Sequence, residues 1–129
     1  MKSWLKIAGC MLAAAVLVAA TDNTAGAKEI EVKMGADTGQ LVYVPKKIEA
    51  APGDTIKWTM NKAGPHNAVF EGPKSADPAV AKSMSQTKLL NKPKDSYIST
   101  IPANAKPGDY AFNCTPHKSA GMGGVLTVK

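Results

Sequence analysis

Four side chains with metal-binding atoms dominate the chemistry that this sequence can support. Cys114, His117 and Met122 fall within nine positions, and His66 is the only other histidine in the 129 residues. Two imidazoles, one thiolate and a weak thioether suit copper, which such a trigonal His2Cys site with a distant Met uses for one-electron transfer. We therefore predict one copper ion per chain held by these four residues. We predict no enzymatic activity, because no histidine is left for a second catalytic centre.

Zinc is the main chemical alternative for this donor set, because Cys and His both bind it well. Closed structural zinc sites rarely use methionine, and a catalytic zinc site needs a nearby acid or base. Glu71 is the carboxylate nearest to His66 in sequence, and nothing else marks it. An inert buried thiol is a further alternative for Cys114. Copper storage or delivery is an alternative function, although the sequence lacks a Cys-x-x-Cys pair and a methionine-rich segment.

Two polar residues adjacent to the predicted ligands are expected to support them. Asn67 follows His66 directly, and Thr115 and Pro116 lie between Cys114 and His117. Metal-bound imidazoles and thiolates are usually held in place by such neighbours. We predict that Asn67 and Thr115 form hydrogen bonds that tie the two halves of the site together.

Residues 1–27 have the pattern of a secretory signal peptide. Two lysines precede the apolar run 11–20, and a polar stretch ends in the small-x-small sequence Ala25-Gly26-Ala27. This predicts cleavage after Ala27 and a mature copper-binding domain of residues 28–129. Cys10 is preceded by a sequence like a lipidation box, but most of the apolar run follows it, so lipidation is the less favoured alternative.

The mature chain is basic, with 14 lysines, 9 acidic residues and a net charge of +5. The lysines are scattered and arginine is absent, which argues against nucleic-acid binding. A fraction of this charge could steer an anionic protein partner.

The pattern of short strands predicts an all-β fold, a Greek-key antiparallel sandwich of seven or eight strands with one short helix within residues 76–86. Apolar residues alternate with polar ones at Ile56, Trp58 and Met60, as in a half-buried strand. Tyr110, Phe112 and Cys114 share one face of a later strand, which places Cys114 on its core-facing side. His117 and Met122 then lie on the loop leading into the last strand. The predicted site is a loop cluster at one end of a rigid sandwich.

At these motifs the sequence resembles the plastocyanins, a cupredoxin family of type 1 copper proteins. The resemblance covers nearly all of the mature chain, including Gly64-Pro65-His66-Asn67 and the run from Cys114 to Met122. It implies a monomeric carrier of the cyanobacterial type that takes an electron from cytochrome f and delivers it to photosystem I in the thylakoid lumen. A periplasmic cupredoxin serving another redox chain is the alternative.

The resemblance also implies an apolar docking face for these transient partners around the second histidine. Its residues here would be Gly39, Leu41, Pro65, Pro116, His117, Lys118 and Gly121. Two positions depart from the family pattern. Asn113 stands where a tyrosine usually precedes the copper cysteine, and Lys118 stands where cyanobacterial members often have arginine. Lysine is a point charge without the planar guanidinium fork.

Overall fold

The computed structural model describes residues 26–129, which form two β-sheets packed face to face with one short helix. Apart from Gly26 and Ala27, the predicted signal peptide lies outside the described residues. Within the described part of the chain, no helix is long and apolar enough to cross a membrane. The strands are β1 Glu29–Met34, β2 Tyr43–Val44, β3 Lys47–Ala50, β4 Thr55–Met60, β5 His66–Phe70, β6 Gln86–Leu90, β7 Ser96–Thr100, β8 Gly108–Asn113 and β9 Gly123–Val128.

The strands divide into a four-stranded sheet, in the order β2-β1-β4-β7, and a five-stranded sheet, in the order β3-β9-β8-β5-β6. The predicted all-β sandwich is confirmed. The described residues contain nine strands where seven or eight were expected, and both sheets are mixed. Strands β1 and β4 are parallel, as are β3 and β9. Side-chain alternation reports which face of a strand is buried and carries no information on strand direction.

The core fills the space between the sheets with the apolar residues of the alternating strands. Trp58 of β4 and Phe112 of β8 come from opposite sheets, and their ring centroids lie 5.0 Å apart, edge to face. Tyr43 packs edge-on against the same Phe112 ring at 4.8 Å. Such pairs add about 0.5–1.5 kcal/mol each beyond their burial. The rigid aromatic cluster lies on the same β8 face as Cys114 and supports that end of the strand.

The single α-helix, α1, is Pro78–Met84, shorter than the predicted range of 76–86. The carboxylate of Asp77 accepts from the backbone N–H of Ala79 at 3.1 Å, and Pro78 occupies the first turn, so the start of the helix is capped. Strand β6 follows directly and was not predicted. Its residues Thr87, Lys88 and Leu89 are all exposed, so the strand has no alternating pattern.

Candidate metal centre

Antiparallel pairing brings together two residues that lie far apart in the sequence. Strand β5 begins at His66, strand β8 ends one residue before Cys114, and the two strands are adjacent and antiparallel. The start of one antiparallel strand lies beside the end of its neighbour. The register pairs Val69 with Asn113, so His66 and Cys114 meet at the same end of the sandwich.

A tight loop joins β8 to β9 and carries His117 and Met122. It contains a 3-10 segment, Thr115–Ala120, with Pro116 in its first turn and Gly121 in the left-handed region at φ +87°. The Cys114 N–H donates to the Met122 carbonyl at 3.1 Å, and the Met122 N–H donates to the His117 carbonyl at 3.2 Å. These bonds hold the backbone of all three residues in one compact turn.

Three donor atoms converge inside this turn. Sγ of Cys114 lies 3.6 Å from Nδ1 of His66 and 3.5 Å from Nδ1 of His117. The three atoms all lie within 4.8 Å of one another, close enough to share one metal ion. Met122 follows in the same turn with its side chain buried.

The orientation of the His66 ring is fixed by a backbone carbonyl. Nε2 lies 2.6 Å from the carbonyl oxygen of Lys62, and a carbonyl can only accept, so Nε2 carries the hydrogen. The lone pair therefore lies on Nδ1, which faces Cys114. Burial of the ring lowers the pKa of His66 below its ordinary value and favours the neutral form. A neutral imidazole with its second nitrogen hydrogen-bonded is the form that binds a metal.

Gly35 makes room for this contact. Its φ is +92°, and a Cβ at this position would overlap the Lys62 carbonyl oxygen and approach Nε2 of His66 to 3.0 Å. Glycine is the residue that accepts both the left-handed backbone and this close approach.

The chemistry of the donor set fits copper. One sulfur and two imidazole nitrogens face a common point, and the thiol is buried, which raises the pKa of Cys114. Without a metal the thiol is therefore protonated at neutral pH, and metal binding must release this proton. Thiolate and imidazole together suit copper, which cycles between two oxidation states.

The Asn67 side chain links β5 to the ligand loop and to β6. Its Oδ1 accepts from the backbone N–H of Thr115 at 2.8 Å, and its Nδ2 donates to the Thr115 hydroxyl at 3.2 Å. The same Nδ2 donates to the Thr87 carbonyl at 3.0 Å. The Tyr43 hydroxyl donates to the backbone carbonyl of Asn67 at 2.6 Å. Four segments of the chain therefore meet at Asn67, which is buried.

The donor residues differ in their access to solvent. His66 and Cys114 are fully buried, whereas His117 is partly exposed. The other residues of the predicted docking face are also at the surface, with Leu41 and Pro65 half-buried and Gly39, Pro116, Lys118 and Gly121 exposed. Solvent therefore reaches the cluster on the side of the His117 ring.

Several residues that shape the site were not singled out from the sequence. Lys62 acts through its backbone carbonyl, so its side chain gives no signal. Thr87 also contributes a carbonyl, and its strand was not predicted. The hydroxyl contact of Tyr43 to Asn67 depends on the packing of the two sheets, which no sequence pattern shows. Gly35 carried a weak signal, since a glycine directly after an alternating strand indicates a special backbone position.

Asn113, which replaces the usual tyrosine, has a partner of its own. Its Nδ2 donates to a carboxylate oxygen of Glu71 at 2.7 Å. Glu71 therefore lies on the β5–β8 surface bonded to an amide, and it contributes no atom to the His-Cys-His cluster.

Comparison with known proteins gives a consistent result. Residues 30–129 match the family described as copper binding proteins, plastocyanin/azurin family. The plastocyanin of Nostoc punctiforme is 45% identical over 108 residues, which cover 82% of this chain and 78% of that protein. The chloroplastic plastocyanin minor isoform of Arabidopsis thaliana is 42% identical over 133 residues, which cover 100% of this chain and 74% of that protein.

Comparison with solved structures also finds plastocyanins. The oxidised form of plastocyanin from Dryopteris crassirhizoma superposes with a TM-score of 0.66 at 36% identity, covering 77% of this chain and 99% of that one. The family match to residues 30–129 spans both sheets and the Cys114–Met122 loop.

Proposed function

The chain belongs to the plastocyanin/azurin family of copper-binding proteins, and we propose that its copper is held by His66, Cys114, His117 and Met122. A copper ion bound there supplies a one-electron redox couple. The observation that carries the proposal is the convergence of Sγ of Cys114 and two imidazole Nδ1 atoms within 4.8 Å of one another.

The protein's own groups then have distinct tasks. Cys114 gives up its proton to bind as a thiolate, and its full burial keeps water away from the sulfur. His66 is locked in one tautomer by the Lys62 carbonyl. Asn67 holds the loop of Thr115 against β5, which keeps the two histidines at a fixed spacing. A site held rigidly by neighbouring contacts changes little when an electron arrives or leaves.

His117 is proposed as the route by which the electron enters and leaves. It is the cluster member that reaches the surface, and the apolar and small residues of the predicted docking face are proposed to surround it. A small face of this kind suits a brief encounter, because weak electron-transfer complexes bury little area. Lys118 adds one exposed positive charge beside it, which favours an anionic partner surface.

The partners proposed are cytochrome f as donor and photosystem I as acceptor, in the thylakoid lumen. Support comes from the plastocyanin relatives in a cyanobacterium and, as a chloroplastic isoform, in a plant. The predicted signal peptide agrees with export, and we propose that the exported protein is a monomer. A periplasmic cupredoxin of another redox chain, or a copper storage or delivery protein, would share the metal site and differ in its partners.

The first test is a visible absorption spectrum of the mature protein with Cu(II), before and after ascorbate. An intense blue band that bleaches on reduction and returns on oxidation is expected from a copper–thiolate site. A colourless protein that retains zinc would refute the proposal.

The route is tested by flash kinetics with photosystem I. Lys118→Glu is expected to slow electron transfer and to weaken its salt dependence, because it reverses a charge on the docking face. Lys106→Glu is the matched control, since Lys106 precedes β8 and lies at the opposite end of that strand from Cys114. Equal rates for the two variants at every ionic strength would remove Lys118 from the docking face.

A further inference from the structure

A buried carboxylate holds the backbone nitrogen at which the mature chain is predicted to begin. The Lys28 N–H donates to Oδ1 of Asp54 at 3.0 Å, and the Ala51 N–H donates to Oδ2 at 2.9 Å. Asp54 is only 5% exposed. Ala27, the residue before this nitrogen, ends the small-x-small sequence of the predicted cleavage site.

Both partners of this contact are fixed by the fold. The Lys28 carbonyl accepts from the Thr55 N–H at 3.0 Å, at the point where β1 and β4 begin to pair. Asp54 lies in a turn in which its N–H donates to the Ala51 carbonyl at 3.0 Å. Its carbonyl accepts from the Ile101 N–H at 2.9 Å. The distance between the Lys28 nitrogen and the Asp54 carboxylate is therefore set by the sheet and does not depend on the residues before Lys28.

Among residues 26–129, no lysine side chain forms a salt bridge with the Asp54 carboxylate. Within residues 26–129 the side-chain ion pairs are Lys33 with Asp37 and Lys129 with Glu49, and both are on the surface. The charged groups that face Asp54 in its shallow cavity are the Lys28 side chain, Glu49 and Lys129. A carboxylate with little exposed surface at the edge of a shallow cavity can still pair with a positive charge at hydrogen-bond distance.

We propose that Asp54 is the binding site for the α-ammonium group that is created when the Ala27–Lys28 peptide bond is hydrolysed. The hydrolysis consumes one water, leaves a carboxylate on Ala27 and turns the Lys28 amide nitrogen into an ammonium. That nitrogen already lies 3.0 Å from Oδ1 of Asp54, so a neutral hydrogen bond becomes an ion pair without rearrangement. Charge-assisted bonds of this kind are about twice as strong as neutral ones.

The consequence is a fold that becomes more stable when its leader is removed. An uncleaved leader would leave Gly26 and Ala27 lying over the turn at Pro52 and Gly53, with an uncharged N–H on Asp54. This contact lies directly before the first residue of β1 and is separate from the proposed copper site.

The test compares two copper-loaded chains, one starting at Lys28 and one starting at Ala27, each with Asp54 and with Asp54→Asn. All strands and the helix described above lie between Glu29 and Val128, so both chains contain the whole fold. At pH 6–7 the Lys28 chain is expected to have an unfolding equilibrium constant about fivefold smaller than the Ala27 chain, equivalent to about 1 kcal/mol. The difference should vanish in the Asp54→Asn pair.

The dependence on pH follows from the ammonium. An ion pair raises the pKa of the α-amino group above its ordinary range of about 7.7–8.0. While Asp54 is ionised, the added stability is therefore complete below that range, and it is lost as the pH rises through the raised value in the folded protein. The Lys28 side chain, Glu49 and Lys129 are common to both chains, so their titration cancels in the comparison.

An NMR titration of the Lys28 α-amine gives a second measurement that does not require Asp54→Asn to fold. A pKa raised by about 0.7 unit, the same fivefold effect, is expected. An unshifted α-amine, equal stability of the two chains, or a difference that survives Asp54→Asn would overturn the proposal. So would an exported protein whose intact mass shows a first residue other than Lys28. The blue absorption band should be identical in every variant, which separates this outcome from failure of the copper proposal.

Discussion

Replacing Gly35 by alanine tests whether the close approach behind His66 holds the metal centre. The added Cβ would overlap the Lys62 carbonyl oxygen and crowd Nε2 of His66, and the backbone at φ +92° is unfavourable for alanine. The matched control is Gly53→Ala, because Gly53 has φ +95° and nothing within 4 Å of its added Cβ. The two variants share the backbone strain and differ in the steric overlap.

The expected magnitudes follow from these differences. Alanine in the left-handed region costs about 1–2 kcal/mol, so Gly53→Ala should lose about that much. Gly35→Ala adds about 1–3 kcal/mol of steric strain. Displacing the Lys62 carbonyl adds about 1 kcal/mol for its hydrogen bond to His66. We expect a loss of about 3–6 kcal/mol for Gly35→Ala.

Urea unfolding of the copper-free proteins measures these stabilities, and competition with a copper chelator measures metal affinity. Loss of the group that orients a metal-binding histidine typically lowers affinity about 10–100-fold, so Gly35→Ala should bind copper that much more weakly. Gly53→Ala should bind copper as the wild type does. If the two variants lose equal stability and keep equal copper affinity, the Lys62–His66 contact does not position the site.

Three other substitutions give separate tests. Asn67→Ala removes three side-chain hydrogen bonds and should lower the free energy of urea unfolding by about 3 kcal/mol. It should also shift the copper spectrum and reduction potential. An unchanged spectrum, potential and copper affinity would contradict the proposed role of Asn67. Asp77→Ala removes the cap of α1 and should cost about 1 kcal/mol with the blue band unaltered. Burial opposes ionisation of Asp54, but its two N–H donors outweigh this and lower its pKa. Its contribution is therefore present above the ordinary carboxyl pKa of 3.8 and lost as the pH falls through the lower pKa of the folded protein, so acid unfolding should be less steep in Asp54→Asn.

The sequence was sufficient to predict those parts of the fold and of the candidate site in which the chemistry and burial of side chains determine where a residue lies. Tyr110 and Phe112 of β8 and Cys114, directly after the strand, alternate with less buried residues and are all fully buried or nearly so. The inward direction of Cys114 therefore followed from its spacing. Trp58 and its neighbours placed β4 in the same way. The convergence of Cys114 with His66 required only that their strands be antiparallel neighbours.

The features of the fold and of the site that the sequence did not predict depend on backbone contacts between distant segments. The carbonyls of Lys62 and Thr87 that receive hydrogen bonds from His66 and Asn67 are common to any residue type. Strand β6 has one buried residue, Leu90, and is held by pairing with β5. The parallel pairs arise from how the two sheets close, which alternation along one strand does not encode.

The β8–β9 hairpin is synthesised last, and both the five-stranded sheet and the donor cluster depend on it. Strand β3 has its partner in β9, pairing Lys47 with Val125, so this part of the sheet stays open until nearly the whole chain is available. The same hairpin carries Cys114, His117 and Met122, whereas His66 is synthesised 48 residues before Cys114. A nascent or truncated chain without this hairpin therefore lacks both the closing strand and three of the four proposed metal donors. With the proposed ligand set, a chain that stops before this hairpin cannot assemble the copper site.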